Sequence, residues 1–177
     1  INIRPLMTDA RVHIQTEDPN QEWEWVNSAW QHDMNCFPPS LLRTLINECG
    51  IFYLTDMSRY TSKINDIARC LEEENGTTCD AHIYVCRNTD KEHVFGTHFD
   101  RNDNVIVQCE GKTNFKIWNE VDNPEELRKN GMSTKMSLTE DPMLDVDMNP
   151  GDAIWIPKSY PHLASSKSRR MSISFPL

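Results

Sequence analysis

The sequence predicts a mainly β domain, a sandwich or barrel of short strands with helices flanking it, and three observations carry that expectation. From Ala81 onward, β-branched and aromatic residues alternate in short runs broken by turn residues. Before Ala81 the apolar residues recur instead at helical spacing. No repeat, low-complexity stretch or flexible linker separates the two textures, and 177 residues is about the size of one ordinary domain. A single unit over 1–177 is therefore expected, with a helical portion over 1–80 packed on a β core over 81–177.

In chain order, residues 1 to about 36 hold polar runs broken by Trp23, Trp25 and Trp30, which suggests an arm or short helix laid on the core. Pro38-Pro39-Ser40, then Leu41, Leu42, Leu45 and Ile46, then Gly50, give a start signal, a helical stripe and a stop, so a helix is expected there. A second helix is expected from Thr61 to about Glu74, with Ile64, Ile67, Ala68 and Leu71 on one stripe and Gly76 ending it. Its Glu72-Glu73-Glu74 run reads as a solvated face. Seven strands follow: His82–Cys86, Val94–Asp100, Asn104–Cys109, Thr113–Trp118, Leu144–Met148, Ala153–Ile156 and Met171–Phe175. Asn123 to Arg128 reads as a short helical insert, and Asn149-Pro150-Gly151-Asp152 as a tight turn.

Charge and cysteine usage narrow the partners. With 27 acidic against 18 basic side chains, the formal net charge of −9 repels polyanions, so no nucleic-acid partner is expected. The six cysteines form no C-x-x-C pair and read as reduced, mostly buried thiols of a cytoplasmic protein. No apolar run approaches the ~20 residues needed to cross a bilayer, so no membrane partner is expected.

The chemistry is concentrated in three residues. His98 and Asp100 are two apart, so on a strand both side chains leave the same face and can reach one ion. The turn at Pro150-Gly151, the run Ala153 to Pro157 and the loop Lys158 to Pro161 then deliver His162. Two imidazoles and one carboxylate on one face of an octahedron leave three positions open, the arrangement non-haem iron(II) oxygenases use. An H-x-D triplet alone arises often by chance; its combination with His162 gives it weight. His13, His32, His82 and His93 lack such a setting and read as structural or surface residues.

The segment Gly96 to Trp118, with its His98-Phe99-Asp100 triplet, Asn104 and the Glu110-Gly111-Lys112 turn, resembles the metal-binding core of the cupin-like JmjC hydroxylases. That family includes the asparaginyl hydroxylase of hypoxia signalling and the ribosomal-protein oxygenases. Asn149 to Pro157, through His162 to Phe175, is similar to the family's second half. The resemblance covers residues 94–177 well and the N-terminal part only loosely. It implies a double-stranded β-helix of jelly-roll type, iron(II) held by His98, Asp100 and His162, and 2-oxoglutarate as cosubstrate. It also implies a protein or peptide substrate, with a small molecule as the alternative.

One departure bears on the cosubstrate. The family usually holds its distal carboxylate with a Lys or Arg two residues after the glycine equivalent to Gly111, where this chain has Thr113. A hydroxyl cannot form the charge-assisted pair alone. The expected anchor is Thr113 together with Lys116 or Arg170, while Asn104 is expected to bond the cosubstrate or a metal-bound water. A metal-dependent cupin enzyme that uses no 2-oxoglutarate is the alternative, and a barrel that only binds is a third reading, against which the intact triad argues.

Overall fold

The computed structural model describes residues 57–58, 61–87, 96–133 and 135–177, together with the strands at 11–15, 24–27, 51–54 and 91–92. The strands are β1 Arg11–Gln15, β2 Glu24–Asn27, β3 Ile51–Leu54, β4 His82–Cys86, β5 Lys91–Glu92, β6 Asn104–Glu110, β7 Thr113–Ile117, β8 Leu144–Met148, β9 Ala153–Ile156, β10 His162–Ser166 and β11 Arg170–Pro176. Two helices accompany them, α1 Ser62–Asn75 and α2 Pro124–Lys129. The larger sheet runs β2-β1-β3-β4-β11-β6-β9 and the smaller β5-β10-β7-β8. Every pairing in both is antiparallel. Facing antiparallel sheets are the jelly-roll form of the expected double-stranded β-helix.

Alternation along the strands decides what lies between the sheets. Ile106 of β6 and Ile156 of β9 meet Phe115 and Ile117 of β7, Met148 of β8 and Ala164 of β10 in one buried cluster, the inter-sheet core. Val105, Val107, Ile173 and Phe175 leave the other side of the large sheet and pack with Ile64 and Ala68 of α1 in a second cluster. The last strand is thus apolar outward, under the helix, and polar inward, where Arg170, Ser172 and Ser174 are buried.

The helix α1 forms as its sequence predicts. Thr61 is extended and its hydroxyl accepts from the Ile64 amide at 3.2 Å, satisfying one orphan donor of the first turn. Gly76 ends the helix in the left-handed region, its amide donating to the Glu72 carbonyl. No helix among the described residues is long and apolar enough to cross a membrane.

Four expectations need correction or fall outside the description. Within the Trp-rich start, expected as an arm or short helix, the described residues are strands: β1 pairs with β2 and β3 and extends the large sheet. The portion before Ala81 is therefore not all helical, because the β-branched Val12 and Ile14, and the run Ile51 to Leu54, suit paired strands of the sheet better than a helical stripe. Of the expected strand Val94–Asp100, residues 94 and 95 lie outside the described residues, and the rest makes only one bridge, His98 to His162. A strand that was not foreseen, β10, begins at His162 itself. The helix expected between Pro38 and Gly50 lies outside the described residues.

The Gly111 turn joins β6 to β7 and fixes their register. Its φ is +67°, and a Cβ there would lie 1.8 Å from the Arg169 carbonyl oxygen, so the turn abuts the β10–β11 turn backbone to backbone. The Lys112 amide donates to Ser168 Oγ and the Lys167 amide to the Lys112 carbonyl across this contact. Gly111→Ala should therefore cost roughly 3 kcal/mol or more, combining left-handed strain with a clash that backbone alone can relieve. A thermal melt within a degree or two of wild type would contradict this account of the turn.

Candidate metal centre

Backbone pairing brings the three sequence-predicted ligands together. The His98 amide donates to the His162 carbonyl at 3.0 Å and the His162 amide to the His98 carbonyl at 2.7 Å, so residues 64 apart in sequence are tied directly. Their rings lie with centroids 4.3 Å apart, tilted by 54°. Asp100 Oδ1 is 4.0 Å from His98 Nε2, and its Oδ2 is 3.7 Å from His162 Nε2. One donor atom from each residue falls within 4.8 Å of the others, a size suited to a single ion.

Hydrogen bonds behind the rings set their chemistry. His98 Nδ1 lies 3.0 Å from the Gly96 carbonyl and His162 Nδ1 3.1 Å from the Tyr160 carbonyl. A carbonyl only accepts, so each Nδ1 carries the proton and each Nε2 keeps its lone pair toward Asp100. Two lone pairs and a carboxylate facing one point fit a divalent cation, and carbonyl-backed imidazoles are what metal-binding histidines commonly show. Asn104 Nδ2 donates to Asp100 Oδ2 at 3.0 Å and Ser174 Oγ donates to Asn104 Oδ1, so the carboxylate is held in turn. Asn104, expected to bond the cosubstrate or a metal-bound water, is in the structure the hydrogen-bond partner of the Asp100 carboxylate.

His162 is 4% exposed, and burial, with the nearby His98 charge, pushes its imidazole down to about 4, opposed by Asp100 and the Tyr160 carbonyl. A neutral imidazole is the form a metal needs. In the metal-free protein the sign is fixed: the unfolded chain, with His162 near 6.5, binds the proton more readily than the folded one. This contribution to stability is complete above about pH 6.5 and is lost as the pH falls toward about 4. Melts of metal-free wild type and His162→Gln across that window should diverge, the variant losing less stability on acidification. Parallel curves would contradict the assignment.

The triad opens into a cavity that Asn104, Ile106, Phe115, Tyr84, Ser172 and Arg170 also line. Arg170 is 3% exposed; its Nε donates to Ser166 Oγ at 2.9 Å and its Nη1 to Ser172 Oγ at 2.7 Å. Burial pushes its guanidinium below the ordinary arginine value. Among the described residues no carboxylate lies within ion-pair distance of it. Lys116, the other cation considered as an anchor, is instead on the outer face of β7, exposed and 4.0 Å from Asp145 Oδ2. Strand alternation turns it outward, since Thr113, Phe115 and Ile117 take the inward positions. Thr113 is buried but does not line the cavity, its hydroxyl donating to Gln108 Oε1 at 2.9 Å. Sequence reasoning missed Tyr84, Ser172 and Ser174; the alternation of polar 170, 172 and 174 with apolar 171, 173 and 175 was the available signal.

Known proteins place this geometry in context. The profile described as the JmjC domain matches residues 54–177. The bifunctional lysine-specific demethylase and histidyl-hydroxylase NO66 of Drosophila persimilis is 25% identical over 154 residues, which is 86% of this chain and 21% of that protein. The protein of the same name from Caenorhabditis elegans is 25% identical over 143 residues, 77% of this chain and 18% of that one. The chain thus spans about a fifth of the length of these relatives. Among solved structures, the ribosomal oxygenase YcfD of Escherichia coli in complex with cobalt and 2-oxoglutarate matches with a TM-score of 0.61 and 14% identity, covering 95% of this chain and 39% of that one. At that identity the match speaks for the fold.

Proposed function

The chain belongs to the JmjC domain family, and from that premise we propose that it is an iron(II)- and 2-oxoglutarate-dependent oxygenase that hydroxylates a side chain of a protein or peptide. Iron(II) at such a triad, with 2-oxoglutarate and O2, supplies the oxidising power that converts a C–H to a C–OH bond while the cosubstrate is decarboxylated. The chain supplies placement. His98, Asp100 and His162 would hold the ion from one side, with Asn104 keeping the Asp100 carboxylate turned toward it. Ile106 and Phe115 give the cavity apolar walls that limit water near the reacting centre.

Arg170 is the observation that carries the cosubstrate reading. An arginine stays charged when buried, and a charge that among the described residues is met by two hydroxyls and no carboxylate is costly. A dicarboxylate that chelates the ion at one end and meets Arg170 at the other would offset that cost inside the cavity both line. A cupin enzyme without 2-oxoglutarate draws its motive from the uncharged Thr113, and the buried Arg170, a cation on the last strand that lines the cavity, weighs against that alternative. The polypeptide substrate class follows the relatives, one named a histidyl-hydroxylase and another a ribosomal oxygenase. The test is incubation with iron(II), 2-oxoglutarate, O2 and ribosomal-protein peptides, read by mass spectrometry and succinate release. The expected result is a peptide heavier by one oxygen atom, absent with His162→Ala. Absence of any 2-oxoglutarate turnover, coupled or uncoupled, would overturn the reading.

A further inference from the structure

Phe99, between His98 and Asp100, is buried and does not line the cavity of the triad, and what packs on it comes from the connection between β7 and β8. The Arg128 guanidinium lies over its ring, 5.4 Å from the centroid. Arg128 is 11% exposed in its side chain and pairs with Glu125 through Nη2, while Nε and Nη1 are buried and have no hydrogen-bond partner among the described residues. Two buried orphan donors make this a poor choice for stability alone, since an apolar side chain of like volume would fill the space without them. What arginine adds is attraction to the ring face, which is stronger where water is excluded.

The same connection grips the triplet through its backbone. The Phe99 amide donates to the Ser133 carbonyl at 3.2 Å and the Met136 amide to the Thr97 carbonyl at 2.8 Å. These bonds alternate with the pair between His98 and His162, so the ligand segment is held by β10 on one edge and by the connection on the other. Gly96, at φ +58°, permits the close approach: a Cβ there would lie 3.3 Å from Lys135 Cα.

We propose that Arg128 is a positioning residue for the metal centre, acting through Phe99 to hold His98 and Asp100 at the spacing the ion requires. The proposal rests on the metal site described above. Outer partners of metal ligands commonly contribute about 10- to 100-fold in metal affinity, and Arg128, one step further out, is expected at the lower end of that range.

The test uses cobalt(II) as the probe, titrated anaerobically into wild type, Arg128→Met, Arg128→Lys, Phe99→Leu, the Arg128→Met/Phe99→Leu double variant and His162→Ala, with visible spectra and thermal melts of each. Arg128→Met is expected to raise the cobalt(II) Kd about tenfold and to alter the visible bands while its melt stays close to wild type. Arg128→Lys should restore most of the affinity by keeping a cation over the ring. The double variant should be no worse than the worse single one, because both remove the same contact. Undiminished affinity in Arg128→Met, or additive losses in the double variant, would overturn the proposal while leaving the metal site intact. If Arg128→Met does not fold, an Arg128→Lys variant with wild-type spectrum and a Phe99→Leu variant with weakened binding support it, and wild-type affinity in Phe99→Leu overturns it. Cobalt(II) binding in wild type no tighter than in His162→Ala would refute the metal site itself, and the proposal with it.

Discussion

Replacing His162 with alanine is expected to abolish iron(II) binding at micromolar concentrations and with it all 2-oxoglutarate turnover. The variant removes one of three convergent donors and the side chain whose Nε2 lies 3.7 Å from Asp100 Oδ2. Losing an outer partner of a ligand costs about 10- to 100-fold in metal affinity, so losing a ligand outright should cost more. The backbone bonds between residues 98 and 162 do not need the imidazole, and the fold should persist with a modest loss of stability. Anaerobic titration calorimetry with circular dichroism as the fold control checks this. Iron affinity within threefold of wild type in a folded variant would remove His162 from the site.

The second large effect is expected at Arg170. With Arg170→Ala, the distal carboxylate of 2-oxoglutarate would enter the cavity without a cation. Truncating one partner of a buried hydrogen-bonded charge pair costs about 2–5 kcal/mol, or roughly 30-fold to a few thousand-fold in cosubstrate affinity. The 2-oxoglutarate KM should rise accordingly, while iron(II) affinity without cosubstrate stays near wild type because Arg170 touches Ser166 and Ser172 rather than the ligands. Lys116→Ala should leave the KM unchanged, since Lys116 lies outside the barrel beside Asp145. The reverse pattern, with Lys116 sensitive and Arg170 not, would relocate the anchor.

How far the sequence reaches is visible in particular residues. The His98–Asp100 spacing and the turn before His162 are local patterns that single out the three residues, while the bridge that joins His98 to His162 across 64 residues is tertiary and has no local signal. Thr61 and Gly76 likewise mark α1 because caps act over three or four residues. β10 escaped because His162-Leu163-Ala164-Ser165-Ser166 has no β-branched residue; its strand character comes from pairing with β7 on one side and β5 on the other. The inward face of β11 was ambiguous for a related reason. Its apolar residues suit an inter-sheet core, yet α1 takes them on the outside, and that leaves Arg170 within. Which way a strand faces is set by what covers it, and the cover is more than ninety residues earlier in the chain. Arg128 over Phe99 is a tertiary contact of the same kind, with no local signal.

On the proposed reading, the triad and Arg170 serve one ligand pair, an ion and a dicarboxylate. Anaerobic titration of iron(II) into the metal-free protein, with and without 2-oxoglutarate, tests it through the visible metal-to-ligand charge-transfer band of the iron–cosubstrate chelate. The expected result is a band that appears only when both are present, is lost in His162→Ala, and in Arg170→Ala needs far more 2-oxoglutarate to form. A wild-type protein that binds iron(II) and gives no band at any 2-oxoglutarate concentration, or a band indifferent to Arg170→Ala, would contradict it.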